Sequence, residues 1–147
     1  MTIQVYLDTS ALVKRYVAEA GSKDVAELLN GSEYQAASVV TEAELPAALG
    51  RAWRVGAISE RDAQAALRAW EKDREDLLWI QLPQNIARQG GQLAWQDGLR
   101  GYDAMHLATA LWWQANLGEP LVVATYDRDL WRAALKHGLG VFPAQEP

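Results

Sequence analysis

The 147-residue chain has no cysteine, so it forms neither a disulfide nor a thiolate-held metal site. It has two histidines, which leaves no histidine-rich metal site to build. No apolar run approaches the 18 residues of a membrane span, and no charged leader precedes an apolar stretch. A soluble, cytoplasmic protein with no membrane partner is therefore expected. Positive charge is also scarce. Fourteen Lys and Arg face 19 Asp and Glu, for a net charge of −5. That argues against nucleic-acid binding by a basic patch alone, although a bound cation can supply what is missing. One Phe stands against seven Trp. There is no repeat, low-complexity tract or linker. Half the residues are hydrophobic, enough for the core of one domain spanning 1–147.

What is present alternates short apolar runs with helical patterns. "IQVYLD" (3–8) reads as a strand, and "TSALVKRYVAEAG" as a helix stopped by Gly21. "SKDVAELLNG" is a second short helix and "YQAASVV" a strand. Two helices follow, "TEAELPAALGRAWRVG" and "SERDAQAALRAWEKDRED", separated at Gly56. "LLWIQL" is a strand. "QNIARQGGQLAWQDG" is a helix weakened by Gly90 and Gly91, and "GYDAMHLATALWWQANLG" is a strong one. "PLVVATYD", "RDLWRAALKHG" and "GVFP" complete the chain as strand, helix and strand. The alternation predicts right-handed crossovers, hence an α/β/α three-layer sandwich around a short parallel sheet. "QVYL" and "PLVVAT" are continuously apolar, as strands covered on both faces require.

In such a sheet the functional crevice lies outside the carboxyl ends of the strands. The acids fall there. Asp8 closes the first strand, Glu42 and Glu44 follow the second, Asp127 closes "LVVATYD" with Asp129 two residues on, and Asp103 opens the preceding helix. Each pair of carboxylates at about 4 Å costs roughly 1 kcal/mol in water and about 4 at an effective dielectric of 20. Such a group persists with a shared proton or a bound cation. Oxygen donors without thiolate point to Mg²⁺ or Mn²⁺, and such a site accepts phosphate oxygens. Metal-assisted phosphodiester cleavage by an activated water follows. Ser10 is placed to hydrogen-bond a ligand carboxylate or a metal-bound water.

Each acid also has an ordinary reading. Asp8 and Asp127 are acceptable helix caps, Asp103 suits a helix N-terminus, and "TEAE" (41–44) matches a capping box that Pro46 complicates. His106, one turn after Asp103, reads first as a packed, hydrogen-bonded histidine. Lys14, Arg15, Arg51 and Arg54 read first as solvated helix faces. Trp112 and Trp113 point about 100° apart on one helix, so at most one fits a narrow core stripe.

"LDTSALVKRY", "ASVVTEAEL", "GYDAMHLATAL" and "TYDRDLWRAALKHGLGV" occur in the order seen in PIN domains, and the chain most resembles the VapC-type toxins of toxin–antitoxin pairs. The resemblance spans essentially the whole chain. It implies the same α/β/α sandwich, a Mg²⁺- or Mn²⁺-dependent endoribonuclease acting on an RNA substrate, a homodimer, and inhibition by a small cognate antitoxin. By position it implies Asp8 and Asp103 as the more direct metal ligands. Glu44, in preference to Glu42, and Asp127 would hold metal or waters, with Ser10 and Asp129 in support.

Two other readings compete. A haloacid-dehalogenase-like phosphatase also ends its first strand on Asp but needs a second Asp two residues later, where this chain has Ser10. A non-catalytic PIN-fold module that binds RNA or protein would carry the same acids as vestiges. Stabilisation by Mn²⁺ separates it from an enzyme.

Overall fold

The computed structural model describes residues 3–147. The chain runs β1 (Ile3–Leu7), α1 (Thr9–Leu12), a 3₁₀ turn (Val13–Arg15), α2 (Ser22–Asn30), β2 (Ser32–Ser38), α3 (Thr41–Arg54) and α4 (Glu60–Asp73). A second 3₁₀ turn (Arg74–Asp76) leads to β3 (Leu78–Ile80), α5 (Gln84–Asp97), α6 (Gly101–Leu117), β4 (Val122–Ala124), α7 (Arg128–Lys136) and β5 (Gly140–Phe142). The five strands lie in the order β3-β2-β1-β4-β5, every neighbouring pair parallel. The α/β/α sandwich expected from the alternation is the architecture found.

Period-2 geometry in β1 sorts the two faces. Val5 and Leu7 point into one core with Ala11, Leu12, Val25, Leu29, Leu45 and Trp70, which come from α1 to α4. Tyr6 points into the other, with Ile86, Leu93, Leu107, Leu130 and Ala134 from α5, α6 and α7. Both faces of the central strand are thus covered, which is why its sequence does not alternate. Trp113 enters the second core while its neighbour Trp112 stays partly exposed.

Two local expectations change. The helix predicted over 9–21 stops at Leu12 and passes into a 3₁₀ turn. Ser22 Oγ then bonds the Val17 carbonyl and the Glu19 N–H, closing a turn that a continuous helix would not permit. Gly21 is not that helix's stop but the residue before α2, at φ +90°, and a Cβ there would lie 2.5 Å from the Tyr126 hydroxyl oxygen. The capping box does not form either. The residue before α3 is Val40, no side chain caps the helix, and Thr41 Oγ1 has no hydrogen-bond partner. Pro46 is accommodated inside α3.

The strand order reverses direction of growth at β1 and β4, so the crevice of this sheet lies at their carboxyl ends. No helix among the described residues is long and apolar enough to cross a membrane.

Candidate active site

Asp8 leaves β1 at this crevice. It occupies the position before α1, yet its side chain makes no capping bond. Both bonds to Oδ2 come from hydroxyls: Ser10 Oγ at 2.6 Å and Thr125 Oγ1 at 2.8 Å. Each hydroxyl in turn accepts a backbone N–H from the loop after β4, Ser10 from Tyr126 at 2.8 Å and Thr125 from Asp127 at 3.0 Å. The β4–α7 loop is thereby wired to one oxygen of Asp8. The other oxygen, Oδ1, has His106 Nε2 at 3.4 Å.

Glu44 reaches the same crevice from α3. Its Oε1 accepts from Thr9 Oγ1 at 3.1 Å and lies 2.7 Å from His106 Nε2. Glu42 turns away to form a forked ion pair with Arg74. The two acids on this helix therefore separate, Glu44 inward and Glu42 to the surface.

His106 stands behind both carboxylates. It is buried, and its Nδ1 meets the buried Tyr6 hydroxyl at 2.7 Å. Burial works against a charged ring, but the hydrogen bond to Glu44 and the charges of Asp8, Glu44 and Asp103 outweigh it and raise its pKa. Burial alone would raise the Glu44 carboxyl. The hydrogen bond and charge of His106, with the Thr9 hydroxyl, bring it below its ordinary value instead.

Asp103 and Asp127 form the outer side. Asp103 sits in the first turn of α6 and Asp127 immediately precedes α7, where its Oδ1 accepts from the Leu130 N–H at 3.0 Å. Asp127 is thus a true cap and keeps Oδ2 for the crevice. One guanidinium bridges the two acids: Arg100 Nε lies 3.2 Å from Asp103 Oδ2 and Nη2 lies 2.6 Å from Asp127 Oδ2. Burial raises the Asp103 pKa, as do the negative charges of Asp127 and Asp8, against the opposing pull of Arg100. Asp103 therefore feels the charges of both Asp127 and Asp8.

Asp129 does not join the group. Two residues past Asp127 in the first turn of α7, it is rotated by about 200° and lies exposed. Lys14 and Arg15 are engaged elsewhere, Lys14 with Glu19 and the Tyr126 ring, Arg15 with Asp73.

Composition reasoning did not find Arg100, Thr9 or Thr125. Arg100 carries a local signal, being three residues before Asp103. Thr125 carries none, because its partner lies 117 residues away.

Four carboxylates face two cationic groups, Arg100 and, when protonated, His106, so with all four ionised at least two negative charges are uncompensated. The donors are oxygens, the set that suits a hard divalent ion. As placed, Arg100 spans Asp103 and Asp127, and among the described residues no three acidic or histidine side chains close on one point as a ready-made metal site.

The PIN-domain family matches residues 5–136. The protein named Ribonuclease VapC45 of Mycobacterium tuberculosis is 37% identical over 142 residues, covering 96% of each chain. Among solved structures, M. tuberculosis VapC20, a sarcin–ricin-loop-cleaving toxin, superposes with a TM-score of 0.65 at 18% identity, covering 92% of this chain and 95% of that one. A toxin–antitoxin complex from Klebsiella pneumoniae superposes at 0.64 and 19% identity, covering 97% and 99%. With a fold, a matched segment and a curated relative in agreement, the chain belongs to the PIN-domain family, among the VapC ribonucleases.

Proposed function

We propose that this protein is a metal-dependent endoribonuclease of the toxin class that hydrolyses RNA phosphodiester bonds. The observation that carries the reading is two pairs of acids outside the ends of β1 and β4, Asp8 with Glu44 about His106 and Asp103 with Asp127 about Arg100. They stand in a chain 37% identical to a protein named as a ribonuclease. In this reading Asp8 and Asp103 would hold Mg²⁺ or Mn²⁺ more directly, and Glu44 and Asp127 would hold the metal or its waters. The bound ion would supply positive charge to a phosphate and lower the pKa of a water. The chain's own residues prepare that chemistry. Ser10 and Thr125 fix Asp8 through Oδ2, while Oδ1 lies 3.4 Å from His106 Nε2. His106 and Thr9 fix the Glu44 carboxylate against its burial. Tyr102, next to Asp103, is 65% exposed and offers a face on which an RNA base stacks.

The partner that would silence such an enzyme must cover an acidic crevice. We propose a small antitoxin that inserts a basic side chain among the carboxylates, and a second copy of this chain as the partner in a homodimer. A complex with no Arg or Lys near Asp8 would overturn the first. A monomeric mass by light scattering would overturn the second.

The test uses purified, partner-free protein with total RNA, in Mn²⁺ and in chelator, beside Asp103→Asn. The expected outcome is discrete cleavage that requires metal and is lost in the variant. Folded protein that neither cleaves nor binds Mn²⁺ would leave a non-catalytic module as the better description.

A further inference from the structure

We infer that Arg100 is the resident counter-ion of the crevice: it holds Asp103 and Asp127 until a divalent cation displaces it, and then takes a phosphate of the RNA. The inference rests on the metal-dependent nuclease reading and adds a residue to it.

Three observations carry it. Among the described residues Arg100 is the one guanidinium that touches two of the four acids, and those acids come from different elements, the first turn of α6 and the cap of α7.

The second is exposure. The Arg100 side chain is 76% accessible, whereas those of Asp103 and Asp127 are 12% and 20% accessible. The guanidinium lies over the crevice rather than in it. It can leave without opening a cavity or stranding a buried donor, and its ion pairs are screened by water. A divalent ion carries twice the charge in a smaller volume and competes well for the same oxygens.

The third is a local rule that the sequence breaks. Arg100 occupies the N-cap position of α6 with extended backbone and makes no capping bond to the helix. Ser, Thr, Asp or Asn would serve that position better. A residue poor at capping, placed where its side chain reaches two site carboxylates, is a mark of function over local stability. Arg also suits the second role. Its planar fork matches a phosphate bidentately, and Lys does not. Once displaced, it stands at the rim beside exposed Tyr102, where a backbone phosphate next to a stacked base would pass.

The test measures Mn²⁺ binding by calorimetry without RNA, for wild type, Arg100→Ala and Arg100→Lys. It also measures the salt dependence of binding to bulk cellular RNA in Mn²⁺. Removing a competing but exposed counter-ion is expected to tighten Mn²⁺ binding in R100A by about three- to tenfold. The same variant is expected to bind RNA more weakly, with the log–log salt slope reduced by about one. R100K should bind metal like wild type and regain only part of the RNA affinity. Equal Mn²⁺ affinity in wild type and R100A overturns the counter-ion role while the metal reading stands. No Mn²⁺ binding in either removes both. Tighter metal binding with an unchanged RNA salt slope overturns the phosphate role.

Discussion

Asp8 shows how single residues make this site. A strand that ends on a carboxylate would be costly without donors, and two hydroxyls supply them at one oxygen. Ser10 and Thr125 each donate to Oδ2 and each accept a loop N–H. Ser10→Ala and Thr125→Val should each cost about 1 kcal/mol, because the other hydroxyl still serves Oδ2. The double variant removes the last donor to that buried oxygen, so its cost should exceed the sum by roughly another 1 kcal/mol. Urea unfolding of the four proteins checks this. A strictly additive cycle would show that the two hydroxyls act independently. This scale also marks what the sequence can reveal. Ser10 is legible because it is two residues from Asp8. Thr125 and the Glu44–His106–Tyr6 chain become visible only when β1 is laid beside β4 and under α6. The carboxylates themselves were legible because topology assigns strand ends to one edge. The resemblance favours Glu44 over Glu42 by position, and the structure adds that Arg74 draws Glu42 outward.

At the scale of elements, the neighbouring glycines of α5 act in opposite ways. Sequence propensity marks both as weak points, yet the helix runs unbroken from Gln84 to Asp97. Gly90 is buried against α6, where an added Cβ would lie 3.2 Å from Met105 Sδ and 3.4 Å from the Ala104 carbonyl oxygen. Gly91 faces solvent, with nothing within 4 Å of such a Cβ. Close approach of α5 to α6 therefore selects the first glycine, and nothing in packing selects the second. Gly91→Ala should stabilise the protein by about 0.5–1 kcal/mol, since it lowers the entropy of the unfolded chain and restores helix propensity. Gly90→Leu should cost about 1–3 kcal/mol by overpacking. Thermal melts of the two variants should move in opposite directions, and a parallel shift would refute the packing account. Strand and helix order was legible from periodicity, whereas such contacts depend on which elements meet. The early end of α1 has the same origin. Its apolar pattern continues past Leu12, but the Ser22 hydroxyl, bonded to the Val17 carbonyl and the Glu19 N–H, closes a turn that the pattern does not encode.

For the whole molecule, the acidic side chains that produce the net charge of −5 serve two opposed ends. Those at the crevice are held together against repulsion, a cost that binding must offset. Asp97 stabilises the fold. As the last residue of α5 it sits at the wrong end of a helix dipole, yet Lys136 Nζ and His137 Nε2 each approach it at 2.6 Å from the end of α7. Hydrogen bonds from Lys136 and then His137 hold its carboxyl below the usual value. A carboxyl depressed in the folded state adds stability above its unfolded pKa of about 4, and this is lost as pH falls through the lower folded value. Asp97→Asn should therefore cost about 1–2 kcal/mol at pH 7 and at pH 5, with the difference from wild type shrinking below about pH 4. Urea midpoints at pH 7, 5 and 3 read this directly. A gap of constant size at all three would mean that Asp97 contributes shape rather than charge. The link between α5 and α7 would then rest on the apolar contacts of Leu93, Leu130 and Ala134 beneath it.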